Sequence, residues 1–215
     1  LIATLHGQGL GWRPPPGFVR PRVDTLTSPA KRASIASSPT LPACTRVPTD
    51  GDADAALELV TMLISQDAGA AFKDALDLVW STTRGLADRS AAGVLIHADL
   101  HHENVLFHDG RIRVIDFDDC GWGYPLYDLA VELSEVTARE DYGRLSDALL
   151  AAYGRLQPLP PGYEADIAAF KVLRLMQILI WILESRDHPT FRDRWREWAA
   201  EEVGWLRRLT DAARP

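Results

Sequence analysis

His97–Asn104 reads HADLHHEN, and Val114–Asp118, one short hairpin later, reads VIDFD. The residues before the first stretch, 92–96, are small and apolar, so they predict a short buried strand that leads into it. Residues 105–107 and 112–115 are also apolar, and the Asp-Gly pair between them favours a tight turn. The sequence therefore predicts a strand, a loop and a β-hairpin with polar side chains at the strand ends.

These polar side chains suit the transfer of a phosphoryl group. The predicted hairpin brings Asn104 and Asp116 side by side, although they are twelve positions apart. An amide oxygen and a carboxylate suit Mg²⁺, a hard cation that takes oxygen ligands and keeps several waters. Asp99 lies five residues before Asn104, close enough to face a hydroxyl beside a metal-bound phosphate. We expect Asp99 to orient that hydroxyl and to accept its proton.

The order H-x-D-x-x-x-x-N, followed by an apolar strand that ends in Asp, is typical of kinase catalytic loops and metal sites. Ala98 stands where protein kinases usually have Arg, and Asp116-Phe117-Asp118 replaces Asp-Phe-Gly. With these departures the chain resembles the aminoglycoside phosphotransferase and homoserine kinase group of kinase-like enzymes, most specifically over residues 95–130. The resemblance implies an ATP- or GTP-dependent phosphotransferase that uses Mg²⁺ and acts on a hydroxyl of a small molecule.

Four further residues around the motif are candidates for supporting or secondary roles. His97 is expected to brace the catalytic loop through backbone hydrogen bonds. Asp128 lies in a Tyr-Asp-Leu-Ala element that resembles the one following the metal aspartate in this family, where the matching Asp reaches the catalytic-loop backbone. We predict the same support here from a helix N-terminus, where a carboxylate is favoured. Asp118 or Asp119 could be a secondary metal ligand, contact a cationic acceptor, or belong to an exposed acidic turn.

The rest of the chain predicts a mainly helical α+β fold, identified through the resemblance as a kinase-like C-terminal lobe spanning residues 1–215. Apolar periodicity and breakers predict helices over about 52–64, 70–87, 126–137, 139–156, 163–186 and 190–213. Residues 23–51 are rich in Ser, Thr, Pro and Ala, and they predict a flexible surface loop within this unit.

The composition restricts the classes of partner and the cellular compartment that we expect for this protein. A net charge of −7 argues against nucleic acid, because phosphate binding needs clustered Lys and Arg. The most apolar run, residues 167–183, is interrupted by charged residues, so it predicts a buried helix and not a membrane span. Cys44 and Cys120 imply no disulfide framework, and we expect a cytoplasmic protein.

Residues 1–11 indicate which part of a nucleotide-binding enzyme the chain resembles. Ala3–His6 reads ATLH and resembles the end of the helix that follows the nucleotide-binding lobe in kinase-like phosphotransferases. The N-terminal lobe is therefore expected to be absent. Gly7–Gly11 predicts a connecting loop, because no strands flank it as they would flank a phosphate-binding loop. The three lysines, Lys31, Lys73 and Lys171, lack the strand context of a phosphate-pairing lysine. The chain alone is expected to have little kinase activity.

Several alternatives stay open at this point. The Asp-Phe-Asp-Asp tract also resembles that of a bacterial stress-response protein kinase, so a protein Ser/Thr acceptor is one of them. A truncated, non-catalytic binding module is another. A metal-dependent hydrolase is a third, with a cluster drawn from His97, Asp99, His101, His102, Glu103 and His108. An acidic acceptor pocket could be formed by Glu132, Glu135, Glu184 and Asp187, which could equally be solvated helix faces.

Overall fold

The computed structural model describes residues 1–18, 20, 50–83, 86 and 94–214. Within these ranges it contains seven α-helices, four short β-strands and one 3₁₀-helix. In chain order they are α1 (Ile2–Gly11), α2 (Asp50–Leu63), α3 (Gln66–Thr83), β1 (Val94–Ile96), the 3₁₀-helix (His102–Asn104), β2 (Val105–His108), β3 (Arg111–Val114), β4 (Gly121–Gly123), α4 (Pro125–Glu135), α5 (Tyr142–Gly154), α6 (Tyr163–Glu184) and α7 (Trp195–Ala213).

Helix α6 is the centre of the hydrophobic core. It packs against α2, α3, α4 and α7, so apolar residues are buried on several of its sides. Phe170, Leu173 and Met176 have no exposed surface. Each such side chain contributes roughly 1.5–3 kcal/mol relative to remaining exposed. A helix that is apolar nearly all round is expected to be buried, as the sequence predicted for residues 167–183. Among the described residues, no helix is long and apolar enough to cross a membrane.

The strands form two separate antiparallel pairs on the side of the helical core that carries the motif. Strand β1 pairs with β4, with Ile96 opposite Gly121, and β2 pairs with β3, with Val105 opposite Val114. At the turn between β2 and β3, Asp109 and Gly110 have φ of 49° and 68°. Positive φ at both central residues is what a tight two-residue hairpin turn requires, and Asp-Gly adopts it at low cost. The predicted hairpin is confirmed.

The mainly helical fold with a small β element is confirmed, and each predicted helix is found with bounds shifted by one to five residues at one or both ends. The predicted helix over 190–213 begins only at Trp195, because residues 185–194 form successive turns. Of the predicted loop over 23–51, residues 23–49 lie outside the described residues, and the last two begin α2. The pairing of β4 with β1 was not predicted, because the two glycines of Gly121–Gly123 do not favour a strand.

The prediction of a connecting loop over Gly7–Gly11 is wrong, since α1 continues through these residues. One of these glycines, Gly9, serves close packing. A Cβ atom built on Gly9 would lie 2.9 Å from the carbonyl oxygen of Leu95 in β1. Glycine therefore lets the helix lie directly against the strand that leads into the catalytic loop, which outweighs its poor helix propensity.

Candidate active site

The loop that follows β1 is held by one buried carboxylate, that of Asp128 in the first turn of α4. The backbone N–H of His97 donates to Asp128 Oδ2 at 2.9 Å, and the N–H of Ala98 donates to Oδ1 at 2.7 Å. Ala98 is buried with φ of 69°, a conformation that is costly for a residue other than glycine. The two hydrogen bonds fix the backbone at this point, one residue before Asp99.

His6 of α1 extends this arrangement to α5. Its Nε2 lies 3.0 Å from Asp128 Oδ2, and its Nδ1 lies 3.0 Å from the hydroxyl of Tyr153. Burial, with a smaller effect of Asp128, raises the pKa of Tyr153 to about 12, so the phenol keeps its proton. The phenol therefore donates to Nδ1, and Nε2–H donates to the carboxylate. Four separate parts of the chain meet at Asp128.

His97 connects the same loop to the segment after β3. Its Nε2 lies 2.9 Å from the carbonyl oxygen of Ile115, and its Nδ1 accepts the N–H of Asp99 at 3.3 Å. The ring also packs on Phe117, with 4.7 Å between ring centroids. This neutral tautomer, with the proton on Nε2, satisfies both contacts. The loop bearing Asp99 and the segment bearing Asp116 are thereby joined.

Asp99 is partly exposed and has neighbours from two directions. Arg174 of α6 donates from Nη2 to Asp99 Oδ1 and forms an ion pair with it. The other oxygen, Oδ2, has longer contacts, 3.4 Å to Asn104 Nδ2 and 3.5 Å to His101 Nε2. Burial opposes the charge on Arg174, but Tyr127 and Asp99 outweigh it and raise the pKa of the guanidinium. Oδ2 is therefore the freer oxygen of Asp99.

Arg174 was missed as a site residue in the sequence. It lies in the apolar run of α6, where it was treated only as an interruption that excludes a membrane span. Its separation from Asp99 is 75 residues, so no local spacing relates the two. One signal in the sequence could have indicated this role. Arg174 lies on a helix predicted to be buried, and a buried charge requires a partner of opposite charge.

Asn104 and Asp116 lie at adjoining ends of the hairpin. The N–H of Ile115 donates to the carbonyl oxygen of Asn104 at 3.0 Å, which extends the register of β2 and β3 by one pair. Asn104 is buried, and its Nδ2 donates to the carbonyl oxygen of Asp99 at 2.8 Å. Its Oδ1 is therefore the atom left to bind a cation.

Asp116 is exposed and has φ of 60°, and its carboxylate makes no hydrogen bond or ion pair within the described part of the chain. With Asn104 it offers an amide oxygen and a carboxylate oxygen from two neighbouring chain segments. This donor set fits Mg²⁺, which prefers oxygen ligands and needs few from the protein when phosphates and waters supply the rest.

A cavity of 430 Å³ opens beside Asp99, between the loop and α6. Its lining combines charged, polar and apolar side chains: Asp99, His101, Asp119, Arg174, Gln177, Ile178 and Trp181. Asp119 is thus in the cavity wall, whereas Asp118 is exposed and its carbonyl oxygen accepts a hydrogen bond of 3.2 Å from Arg20. The described lining includes none of Glu132, Glu135, Glu184 and Asp187, the acidic residues considered above for an acceptor pocket.

Residues 35–166 match the phosphotransferase enzyme family over more than half of the chain. The chain belongs to the phosphotransferase enzyme family. The resemblance inferred from the motif is therefore confirmed. Stress response kinase A of Salmonella choleraesuis is 27% identical over 149 residues, which are 69% of this chain and 44% of that protein. The chain thus spans less than half the length of this relative.

Two solved structures resemble this phosphotransferase family member. A microcompartment-associated aminopropanol kinase has a TM-score of 0.68 at 24% identity, over 99% of this chain and 60% of that one. At this identity the likeness shows the fold alone. An amicoumacin kinase in complex with AMP-PNP, Ca²⁺ and Ami has a TM-score of 0.52 at 25% identity, over 71% of this chain and 48% of that one.

The six residues considered for a metal-dependent hydrolase do not form one cluster in the structure. Both ring nitrogens of His97 are used in hydrogen bonds to the backbone of Asp99 and Ile115, and His108 lies at the hairpin turn, 3.2 Å from Asp109. His101 and His102 remain, and they lie near Glu135 of α4. His97 and His108 are therefore separated from the pair of His101 and His102.

We predict that Asp128→Asn lowers the free energy of unfolding by about 3–5 kcal/mol, the cost of breaking a buried charged network. An amide cannot accept from both backbone N–H groups without directing its own NH₂ at a donor. Urea denaturation of the purified protein, followed by circular dichroism, measures the change. The control is Asp118→Asn, an exposed change expected to cost less than about 0.5 kcal/mol. Equal losses in the two variants would contradict the role of Asp128.

Proposed function

We propose that this protein transfers the γ-phosphoryl group of ATP or GTP to a hydroxyl group of a small molecule. The observation that carries the proposal is the position of Asp99. It lines a 430 Å³ cavity and also contacts Asn104. Asn104 in turn adjoins Asp116 at the end of the hairpin. The nucleotide and the acceptor would thus meet at Asp99 from opposite sides. Membership of the phosphotransferase enzyme family supports the reaction class.

In this proposal Asp99 is the catalytic residue. Arg174 holds Oδ1, so Oδ2 is the oxygen that orients the acceptor hydroxyl and takes its proton. The hydroxyl oxygen then bonds to the γ-phosphorus, the bond from that phosphorus to the β–γ bridging oxygen breaks, and the nucleoside diphosphate leaves. Arg174 acts as a positioning residue, because it fixes the carboxylate without touching the phosphoryl group.

Asn104 and Asp116 are proposed to hold Mg²⁺ together with the nucleotide phosphates. When bound, the ion supplies charge neutralisation at the transferring phosphoryl group. Asn104 presents Oδ1 because its Nδ2 is held by the loop, and Asp116 presents a carboxylate with no other partner in the described residues. The amicoumacin kinase of similar fold was solved with a nucleotide analogue and a divalent cation, which supports this assignment.

The cavity favours a small acceptor over a protein side chain. Its 430 Å³ lies in the range of roughly 300–1,000 Å³ that is usual for small-molecule sites. Asp119 and Arg174 offer charges of both signs, and Trp181 offers an aromatic face that is 45% exposed. An acceptor with polar groups on a compact apolar frame suits these walls, and a protein Ser/Thr acceptor is the alternative that a substrate panel tests.

We predict that Asp99→Asn lowers turnover by about 10²–10⁴-fold and leaves nucleotide affinity nearly unchanged, because the variant loses only the proton acceptor. Turnover is measured as transfer of labelled γ-phosphate, in the longest native form of the protein, to a panel of amino alcohols, sugars and hydroxy amino acids. Asp109→Asn, at the exposed hairpin turn, is the matched control and should retain full turnover. Near-normal turnover in Asp99→Asn would refute the assignment.

We predict that Asp116→Ala abolishes the Mg²⁺-dependent part of nucleotide binding and, with it, phosphoryl transfer. Removing the carboxylate leaves the ion with one protein ligand, the amide of Asn104. Calorimetric titration of AMP-PNP with and without Mg²⁺ gives the two affinities for each variant. The same Asp109→Asn variant controls for loss of an exposed acid in the hairpin. An unchanged Mg²⁺-dependent affinity in Asp116→Ala would contradict the proposed metal site.

We also propose that the 215-residue chain binds ATP and GTP weakly by itself. Lys73 is exposed on α3 and pairs with Asp77 at 2.6 Å, and Lys171 on α6 donates to the hydroxyl of Tyr142 at 3.2 Å. Neither is placed on a strand to grip phosphates, and Lys31 lies outside the described residues. Calorimetry and a transfer assay test this directly. Micromolar affinity with turnover above about 1 s⁻¹, the lower end for kinases, would contradict it.

A further inference from the structure

A second group of ligand-type side chains lies next to the catalytic loop. His101 and His102 at the start of the 3₁₀-helix meet Glu135 at the end of α4, and one ligand atom from each lies within 4.8 Å of the others. We propose that these three residues form a binding site for a transition-metal ion of the Zn²⁺ or Ni²⁺ class. The group shares no residue with the Asn104 and Asp116 pair, although His101 Nε2 lies 3.2 Å from Asn104 Nδ2.

The spacing of the ligand atoms is close to what a tetrahedral ion requires. Two ligands bound at 2.0–2.1 Å to one zinc ion are about 3.3 Å apart. His102 Nδ1 and Glu135 Oε2 are already 3.1 Å apart, and the widest separation in the group, at most 4.8 Å, must shorten by about 1.5 Å. The side chains of His102 and Glu135 are 70% and 38% exposed. Rotation of these exposed side chains can therefore close the site without moving the backbone.

The electrostatic surroundings also favour a cation at this position. Glu132 lies one turn before Glu135 on α4, and its Oε2 atom is buried without a hydrogen-bond partner among the described residues. An ion bound by His101, His102 and Glu135 would compensate both carboxylates. Glu132 thus adds a second carboxylate to the side of α4 that bears Glu135.

The donor set selects the class of ion. Two imidazole nitrogens and one carboxylate oxygen suit Zn²⁺, Ni²⁺ and Cu²⁺, whereas Mg²⁺ prefers oxygen ligands alone. Three protein ligands leave one coordination position for water. The Asn104 and Asp116 pair offers only oxygen atoms, so the two sites should not compete for the same ion.

Binding of an ion here would act on the catalytic loop through His101. This ring lines the cavity beside Asp99 and lies 3.5 Å from its Oδ2 atom. An ion that fixes the ring against α4 would change the space open to the acceptor. This consequence rests on the proposed function, but the existence of the ion site does not.

Calorimetric titration of the purified protein with Zn²⁺, and separately with Ni²⁺, in the presence of excess Mg²⁺ tests the proposal. We expect one site of micromolar affinity, weakened by more than about tenfold in His102→Ala and in Glu135→Gln, since even indirect partners of metal ligands cost that much. The matched control is His108→Ala, which removes an exposed histidine outside the group and should leave the affinity unchanged. Circular dichroism verifies that each variant is folded, and His102→Asn replaces His102→Ala if that variant is unfolded.

The outcomes separate this proposal from the proposed function. Binding that is lost in the two ligand variants and kept in His108→Ala supports the ion site, whether or not phosphoryl transfer is detected. Absence of binding, or equal affinity in all four proteins, would overturn it. A loss in His108→Ala as large as in His102→Ala would also overturn it, because binding would then reflect surface histidines in general.

Discussion

The hydrogen bonds to the buried carboxylate of Asp128 are the interaction on which the loop that bears Asp99 depends. A buried carboxylate is costly unless its oxygens are satisfied. Here one oxygen receives the N–H of Ala98, and the other receives the N–H of His97 and the ring of His6. In return the carboxylate fixes a backbone conformation at Ala98, with φ of 69°, that costs roughly 1–3 kcal/mol if nothing holds it. The hydrogen bonds thus offset both the cost of burying the Asp128 carboxylate and the cost of the backbone conformation at Ala98.

This arrangement fixes the backbone of Asp99 but not its side chain, which is held from another direction. Arg174, on the long central helix of the core, pairs with Oδ1. The two helices therefore support different parts of Asp99. Helix α4 fixes the position of its backbone, and α6 fixes the orientation of its carboxylate. Such double support matters because catalytic groups must be held within about 0.5 Å of their productive position. The large apolar surface of α6 anchors the guanidinium, so the core contributes to the precision of the site.

The sequence predicted the parts of the fold that depend on neighbours along the chain. Asp109 and Gly110 predicted the hairpin, since a tight turn is decided by the residues in it, and the hairpin in turn predicted that Asn104 and Asp116 would adjoin. Contacts between distant segments were not predictable in this way. The ion pair of Arg174 with Asp99 and the pairing of β4 with β1 depend on how the helices pack. The helical conformation of Gly9 likewise depends on the approach of β1.

The 3₁₀-helix over His102–Asn104 shows how the two proposed cation sites could adjoin one loop. Such a helix has three residues per turn, so residues two positions apart point to different sides. Asn104 is buried and turned towards Asp99, whereas His102 is exposed and turned towards Glu135. One turn of backbone therefore separates an oxygen-only donor set from one that contains imidazole. Because Mg²⁺ disfavours nitrogen ligands and Zn²⁺ accepts them readily, ligand type alone would direct the two ions to different sides of the same turn.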